Sequence, residues 1–166
     1  MKRNEIVVGL DDSAPARAAL RWAAEQARLT GSVLRAIHVL DWPTGAGADG
    51  VPYVEDWVYG QDETHDKALR AMITQLFDEI DPEPDWSVDF ARGKPGAILV
   101  REAAPSKLLV VGTGEHVGLG RVLIGSTSHY CLSHASTPVV AVSATYSTSS
   151  ALPPVHAASA AGEAGS

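Results

Sequence analysis

The stretch IVVGLDDSAPARAALRWAAEQARLTGSVLRAIHVL, from Ile6 to Leu40, decides the fold class. Ile6 to Leu10 is a short β-branched run that reads as a buried strand, stopped at its carboxyl end by Gly9 and Asp11. Ser13 is a good N-cap. Pro15 suits a first helical turn, because its missing N–H is one the helix would leave unpaired anyway. Ala16, Ala19, Leu20, Ala23 and Ala27 then recur at helical spacing, while Arg17, Arg21 and Arg28 fall elsewhere on the wheel. Gly31 ends that helix and Val33 to Leu40 is a second strand. Strand, helix, strand in this order predicts a right-handed crossover between parallel strands.

The alternation continues outward. A second helix is expected from near Thr64 to Ile80, burying Leu69, Met72, Ile73, Leu76 and Phe77, with Pro82 and Pro84 stopping it. Trp86 to Ala91 reads as a third strand, Pro95 to Ala104 as a third helix and Leu108 to Val111 as a fourth strand. Ser128 to Ala135 reads as the last helix and Pro138 to Val142 as a fifth strand. The expected fold is therefore α/β: one single-domain sandwich with a five-stranded parallel sheet and helices on both faces. An order 3-2-1-4-5 makes the first and fourth strands neighbours, so Asp11 and Gly112 meet at one crevice beyond the strands' carboxyl ends, where such sheets bind ligands. The domain is expected to take residues 1–143. Residues 144–166, rich in Ala, Ser and Pro without a periodic apolar face, are expected to be a disordered tail. Asp41 to Asp62, which holds Trp42, Tyr53, Trp57 and Tyr59, is too long for an ordinary connection and reads as a functional flap or a partly disordered segment.

Composition narrows the function classes. A chain of 166 residues, 45% hydrophobic, can bury one real core. A formal charge of −7 argues against a nucleic-acid surface or an anionic-membrane binder. The single cysteine, Cys131, excludes an internal disulfide and reads as a packed thiol. Met1-Lys2-Arg3-Asn4-Glu5 leads into a strand rather than the long apolar run of a signal peptide, and no stretch is long and apolar enough to span a bilayer, so a cytoplasmic protein is expected.

The candidate site lies in VVGTGEHVGLGRVLIGSTS, Val110 to Ser128. An apolar strand breaks into a glycine-rich loop and closes on three hydroxyls, Ser126, Thr127 and Ser128, where a helix is expected to start. Glycines allow close backbone approach, and a helix N-terminus offers unpaired N–H groups and the positive end of a dipole. The combination suits phosphate. It is not a dinucleotide fingerprint, since Gly112-Thr113-Gly114 follows the fourth strand and the third glycine position holds Val117. It is not a P-loop either, for no Lys-Ser or Lys-Thr pair follows Gly114. Gly125-Ser126-Thr127-Ser128-His129 does not make a nucleophile elbow, and His129 and His134, five apart, do not share a helix face as a metal pair.

These residues resemble the universal stress protein family, whose nucleotide-binding branch carries Gly-x2-Gly-x9-Gly followed by Ser or Thr. The chain reads Gly112-x2-Glu115-x9-Gly125-Ser126, with Glu115 standing where the motif has its second glycine. The likeness extends to Val7-Val8-Gly9-Leu10-Asp11-Asp12-Ser13, to Ile37-His38-Val39 and to Pro138-Val139-Val140-Ala141-Val142, so it covers about residues 4–142. The resemblance implies ATP, accompanied or not by Mg2+, as the ligand of a stress-response or signalling module. It implies Asp11 and Val39 beside adenine and ribose, and Gly112 and Gly125 shaping the phosphate loop. Gly114 is available to take over the turn displaced from Glu115, and Ser126 and Ser128 would donate to phosphate oxygens with Thr127 beside them. It also implies a homodimer through the last strand, Pro138 to Val142. His116 and Arg121 are the basic groups placed to offset Glu115. No efficient catalytic apparatus is visible, so any ATP turnover is expected to be slow. Two other classes remain: a same-fold interaction protein that binds no nucleotide, and a weak ATP or ester hydrolase.

Overall fold

Local signals set the first helix, and the rest of the sheet follows from it. In the computed structural model, which describes residues 3–40, 58–114 and 125–146, strands and helices alternate along the chain. They are β1 (Arg3–Gly9), α1 (Ala14–Thr30), β2 (Val33–Leu40), α2 (Val58–Asp78), β3 (Ser87–Arg92), α3 (Pro95–Ala103), β4 (Ser106–Gly112), α4 (Ser126–His134) and β5 (Val139–Val142). At the start of α1 the Ser13 hydroxyl accepts the Ala16 N–H at 3.3 Å. At its end Gly31, in the left-handed region at φ 58°, donates its N–H to the carbonyls of Ala27 and Arg28.

The sheet has the order β3-β2-β1-β4-β5, all neighbours parallel. Successive residues of β1 point to opposite faces, and both faces are covered. Ile6 and Val8 pack with Leu34, Ala36, Val110, the alanine stripe of α1 and Ile73, Leu76 and Phe77 of α2. Val7 packs on the other side with Ile37, Leu109, Val111, Leu99 of α3 and Cys131 of α4. Each fully buried aliphatic side chain contributes about 1.5–3 kcal/mol over its exposed state, so the double-sided burial of β1 makes it the backbone of the core. In β2, Arg35 meets Glu5 at 3.4 Å and Asp89 and Glu102 at 3.3 Å each.

Two boundaries differ from expectation. Helix α2 starts at Val58 rather than near Thr64, so the end of the Asp41–Asp62 connection is helical. Gly60 reads as loop composition, yet in a first turn, where N–H groups lack helical partners in any case, its cost is small. Helix α4 starts at Ser126 rather than Ser128, with Gly125 as its cap residue. Of the expected tail, Tyr146 instead packs on the α1 face of the core, and its hydroxyl meets Glu25 at 2.9 Å. Residues 147–166 lie outside the described residues, as do Trp42, Tyr53 and Trp57; Tyr59 falls on α2.

Candidate functional site

The carboxyl ends of the strands open onto a cleft of about 790 Å3. Its size is within the ordinary range of small-molecule sites. All eight candidate residues line it: Asp11, Val39, Gly112, Gly114, Gly125, Ser126, Thr127 and Ser128. Pairing of β1 with β4 is what brings the Asp11 and Gly112 ends together, as the strand order predicts. Glu115, His116 and Arg121 lie outside the described residues.

On the β1 side, the chain leaves the sheet through a chain of local hydrogen bonds. The exposed Asp11 carboxylate accepts the Ser13 N–H at 2.9 Å, and Ser13 in turn caps α1. Asp11 is thus held in an Asx turn at the cleft rim, one carboxylate oxygen engaged. Val39, half-buried on β2, forms part of the apolar wall with Leu40, Leu69 and Leu99.

On the β4 side the glycines bring backbone to backbone. A Cβ on Gly112 would stand 2.5 Å from the Pro15 carbonyl carbon, so β4 can end against the first turn of α1 only without a side chain there. A Cβ on Gly114 would meet Gly125 Cα at 3.3 Å, and one on Gly125 would meet Gly114 N at 3.4 Å. Gly114 and Gly125 therefore lie against each other beside the start of α4. The first N–H groups of α4, which no helical carbonyl satisfies, lie in the cleft wall with Ser126, Thr127 and Ser128. The three hydroxyls differ. Ser126 is exposed and Thr127 half-buried, while Ser128 is buried and donates to the Gly125 carbonyl at 3.0 Å. Ser128 therefore ties down the loop end in this state, and Ser126 and Thr127 are the more open hydroxyls.

Besides Ser13, the cap of α1, sequence reasoning left out three polar members of the cleft among the described residues. Arg92, closing β3, forms an ion pair with Asp66 of α2, and both line the cleft. Asp66, Leu69 and Ile73 share a helical face, so the spacing of Asp66 ahead of two core residues was the available signal. Arg92 stands at a strand's carboxyl end, where the same sheet rule applies. The third is His38, buried at the end of β2, whose Nδ1 lies 2.7 Å from the Leu10 carbonyl. The thiol of Cys131 is buried behind α3, and burial pushes it up to about 11.

A cleft framed by paired glycines, helix N–H groups and an apolar wall has room and donors for a phosphorylated ligand with a flat apolar part. Comparison with known proteins agrees with the architecture. The profile of the universal stress protein family matches residues 2–143. A universal stress protein of Mycolicibacterium smegmatis is 32% identical over 144 residues, which is 82% of this chain and 47% of that relative. The chain spans about half the length of the curated relatives it matches. Among solved structures, a universal stress protein from Lactobacillus plantarum superposes with a TM-score of 0.61 at 22% identity, covering 86% of this chain and 99% of that one. One from Archaeoglobus fulgidus, solved in complex with dAMP, has a TM-score of 0.55 at 22% identity, covering 86% of this chain and 99% of that one. On the family match and the shared fold, the chain belongs to the universal stress protein family.

Proposed function

We propose that the chain binds an adenine nucleotide, ATP with Mg2+ accompanying its phosphates, as a cytoplasmic stress-response or signalling module that works by binding rather than by rapid turnover. The observation that carries this reading is the convergence of the glycine-closed loop ends, the N-terminus of α4 and Asp11 and Val39 on one cleft. The phosphates would lie against the α4 first turn, Ser126 and Thr127, where N–H groups and hydroxyls supply donors. The base and ribose would lie toward Val39 and Asp11. The nucleotide seen with the Archaeoglobus fulgidus relative supports the ligand class. Of the three hydroxyls at the start of α4, the buried Ser128 already spends its proton on the Gly125 carbonyl, which does not favour it as a nucleophile.

The homodimer belongs to the same proposal. Strand β5 lies at the sheet edge with Val139 and Val140 half-buried and Ala141 exposed, an edge open to pairing with a second copy. Calorimetric titration with ATP-Mg tests the ligand, alongside Gly125→Val, which adds two methyl groups beyond a Cβ that would already touch the Gly114 nitrogen at 3.4 Å. Binding by the parent and none by the variant is expected; absence of binding by the parent refutes the reading and favours a nucleotide-free interaction protein. Sedimentation equilibrium giving a monomer mass would refute the dimer.

A further inference from the structure

Leu10 is the last residue of the chain before it turns out of the sheet, and it is almost fully buried. A buried carbonyl at that point needs a partner, and the strand ladder has ended. Both of its backbone groups are taken up by β2. The Leu10 N–H donates to the Ile37 carbonyl at 3.0 Å, and the Leu10 carbonyl lies 2.7 Å from Nδ1 of His38. A carbonyl can only accept, so Nδ1 carries the proton and donates. The imidazole is itself held: it lies in edge contact with Phe90 of β3, ring centroids 6.1 Å apart, and the Arg70 guanidinium covers that phenyl ring at 4.6 Å.

The peptide so fixed is the one that leads into Asp11. Asp11 takes the Ser13 N–H and Ser13 takes the Ala16 N–H, so the orientation set by His38 passes through one turn into α1. The other neighbour of this histidine is Val39, the wall residue opposite. We propose that His38 is a positioning residue of the cleft: its Nδ1–H locks the Leu10–Asp11 peptide and so sets the Asp11 carboxylate against the Val39 wall for a bound adenine nucleotide. The inference rests on the nucleotide reading above for its ligand, but not for its geometry.

The test uses the full chain with His38→Asn and His38→Gln. Asparagine carries its amide N–H where Nδ1 lies; glutamine carries it at the reach of Nε2 and leaves the carbonyl unmatched. In ATP-Mg titrations His38→Asn is expected to keep affinity within about threefold of the parent, and His38→Gln to lose about tenfold, the worth of one buried hydrogen bond. Equal affinities in the two variants, whether kept or lost, overturn the proposal. Long-range 1H–15N spectra of the parent are expected to show the neutral ring protonated at Nδ1; a proton on Nε2 instead overturns it even if His38→Gln fails to fold. Should the parent bind no ATP, the nucleotide reading alone fails. The backbone amide shifts of Asp11 to Ser13 then decide for His38: displaced in His38→Gln and restored in His38→Asn supports the positioning role, and unmoved in both overturns it.

Discussion

Gly112 offers the sharpest perturbation of this fold. A Cβ added there would lie 2.5 Å from the Pro15 carbonyl carbon, 2.7 Å from the Ala16 nitrogen and 2.8 Å from the Pro15 Cβ. Ordinary contact starts near 3.4 Å, so the clash can be relieved only by moving the first turn of α1 or the end of β4 by roughly 1 Å. Neither moves freely, because β4 pairs Gly112 with Val142 and α1 buries its alanine stripe. Overpacking of this kind costs about 1–3 kcal/mol, and alanine regains up to about 1 kcal/mol through the unfolded chain, leaving a net loss of about 1–2 kcal/mol in Gly112→Ala. For a domain of this size that is a fall in Tm of about 3–6 °C, measurable by circular dichroism. Gly114→Ala is the control, since among the described residues its Cβ would meet only the Gly125 Cα at 3.3 Å and the Gly125 nitrogen at 3.5 Å. A Gly112→Ala protein that melts with the parent, or a larger fall in Gly114→Ala, would falsify the backbone-contact argument.

Gly31→Ala meets no atom within 4 Å, so its expected cost is conformational alone. Urea denaturation should give a loss of about 1 kcal/mol for placing a side chain in the left-handed cap. Burial raises the Cys131 thiol from 9.0 to about 11, which favours the neutral form in the folded state. Its stabilisation is therefore complete below pH 9 and is lost as pH rises toward 11. Cys131→Ala should flatten that part of the stability profile, and iodoacetamide should label the native parent far more slowly than the unfolded chain. Arg35→Met removes the cation facing Glu5, Asp89 and Glu102 and should cost on the order of 2 kcal/mol in urea. Adding Glu5→Gln should recover part of it; a double variant no more stable than Arg35→Met would mean that the Glu5 contact carries none of the loss.

The parts of the fold legible in sequence are those determined within a few residues. Ser13, Pro15 and Gly31 each act on their own turn, which is why α1 could be bounded at both ends. The strand order could be anticipated because buried β runs separated by helices leave few topologies. Boundaries set by distant partners were less visible. Strand β1 begins at Arg3 because Arg3 pairs with Ser106, a contact no local pattern encodes. The start of α4 was ambiguous because any of three successive hydroxyls can cap a helix, and the structure uses none of them: the cap position is Gly125. The candidate residues line one cleft because they lie at the ends of β1, β2 and β4 and at the start of α4. Their roles were harder to read. Gly112 suggested approach to a ligand, whereas its backbone approaches α1. His38 gave no local signal because its partner, the Leu10 carbonyl, lies just past the end of β1, and only the parallel register of β1 on β2 brings the two together.

The placement of β1 has a consequence for how the chain is made. It leaves the ribosome before the other four strands of this sheet, and it pairs with residues 33–37 on one edge but with residues 106–110 on the other. At ordinary rates of synthesis, about 5–20 residues per second, roughly 4–15 s separate the two edges. Through that interval Ile6, Val7 and Val8, almost wholly buried in the finished protein, present an open apolar β edge. Nascent chains paused before β4 should therefore be held by chaperones or lost to aggregation, and release of the completed sheet is the step that rescues them.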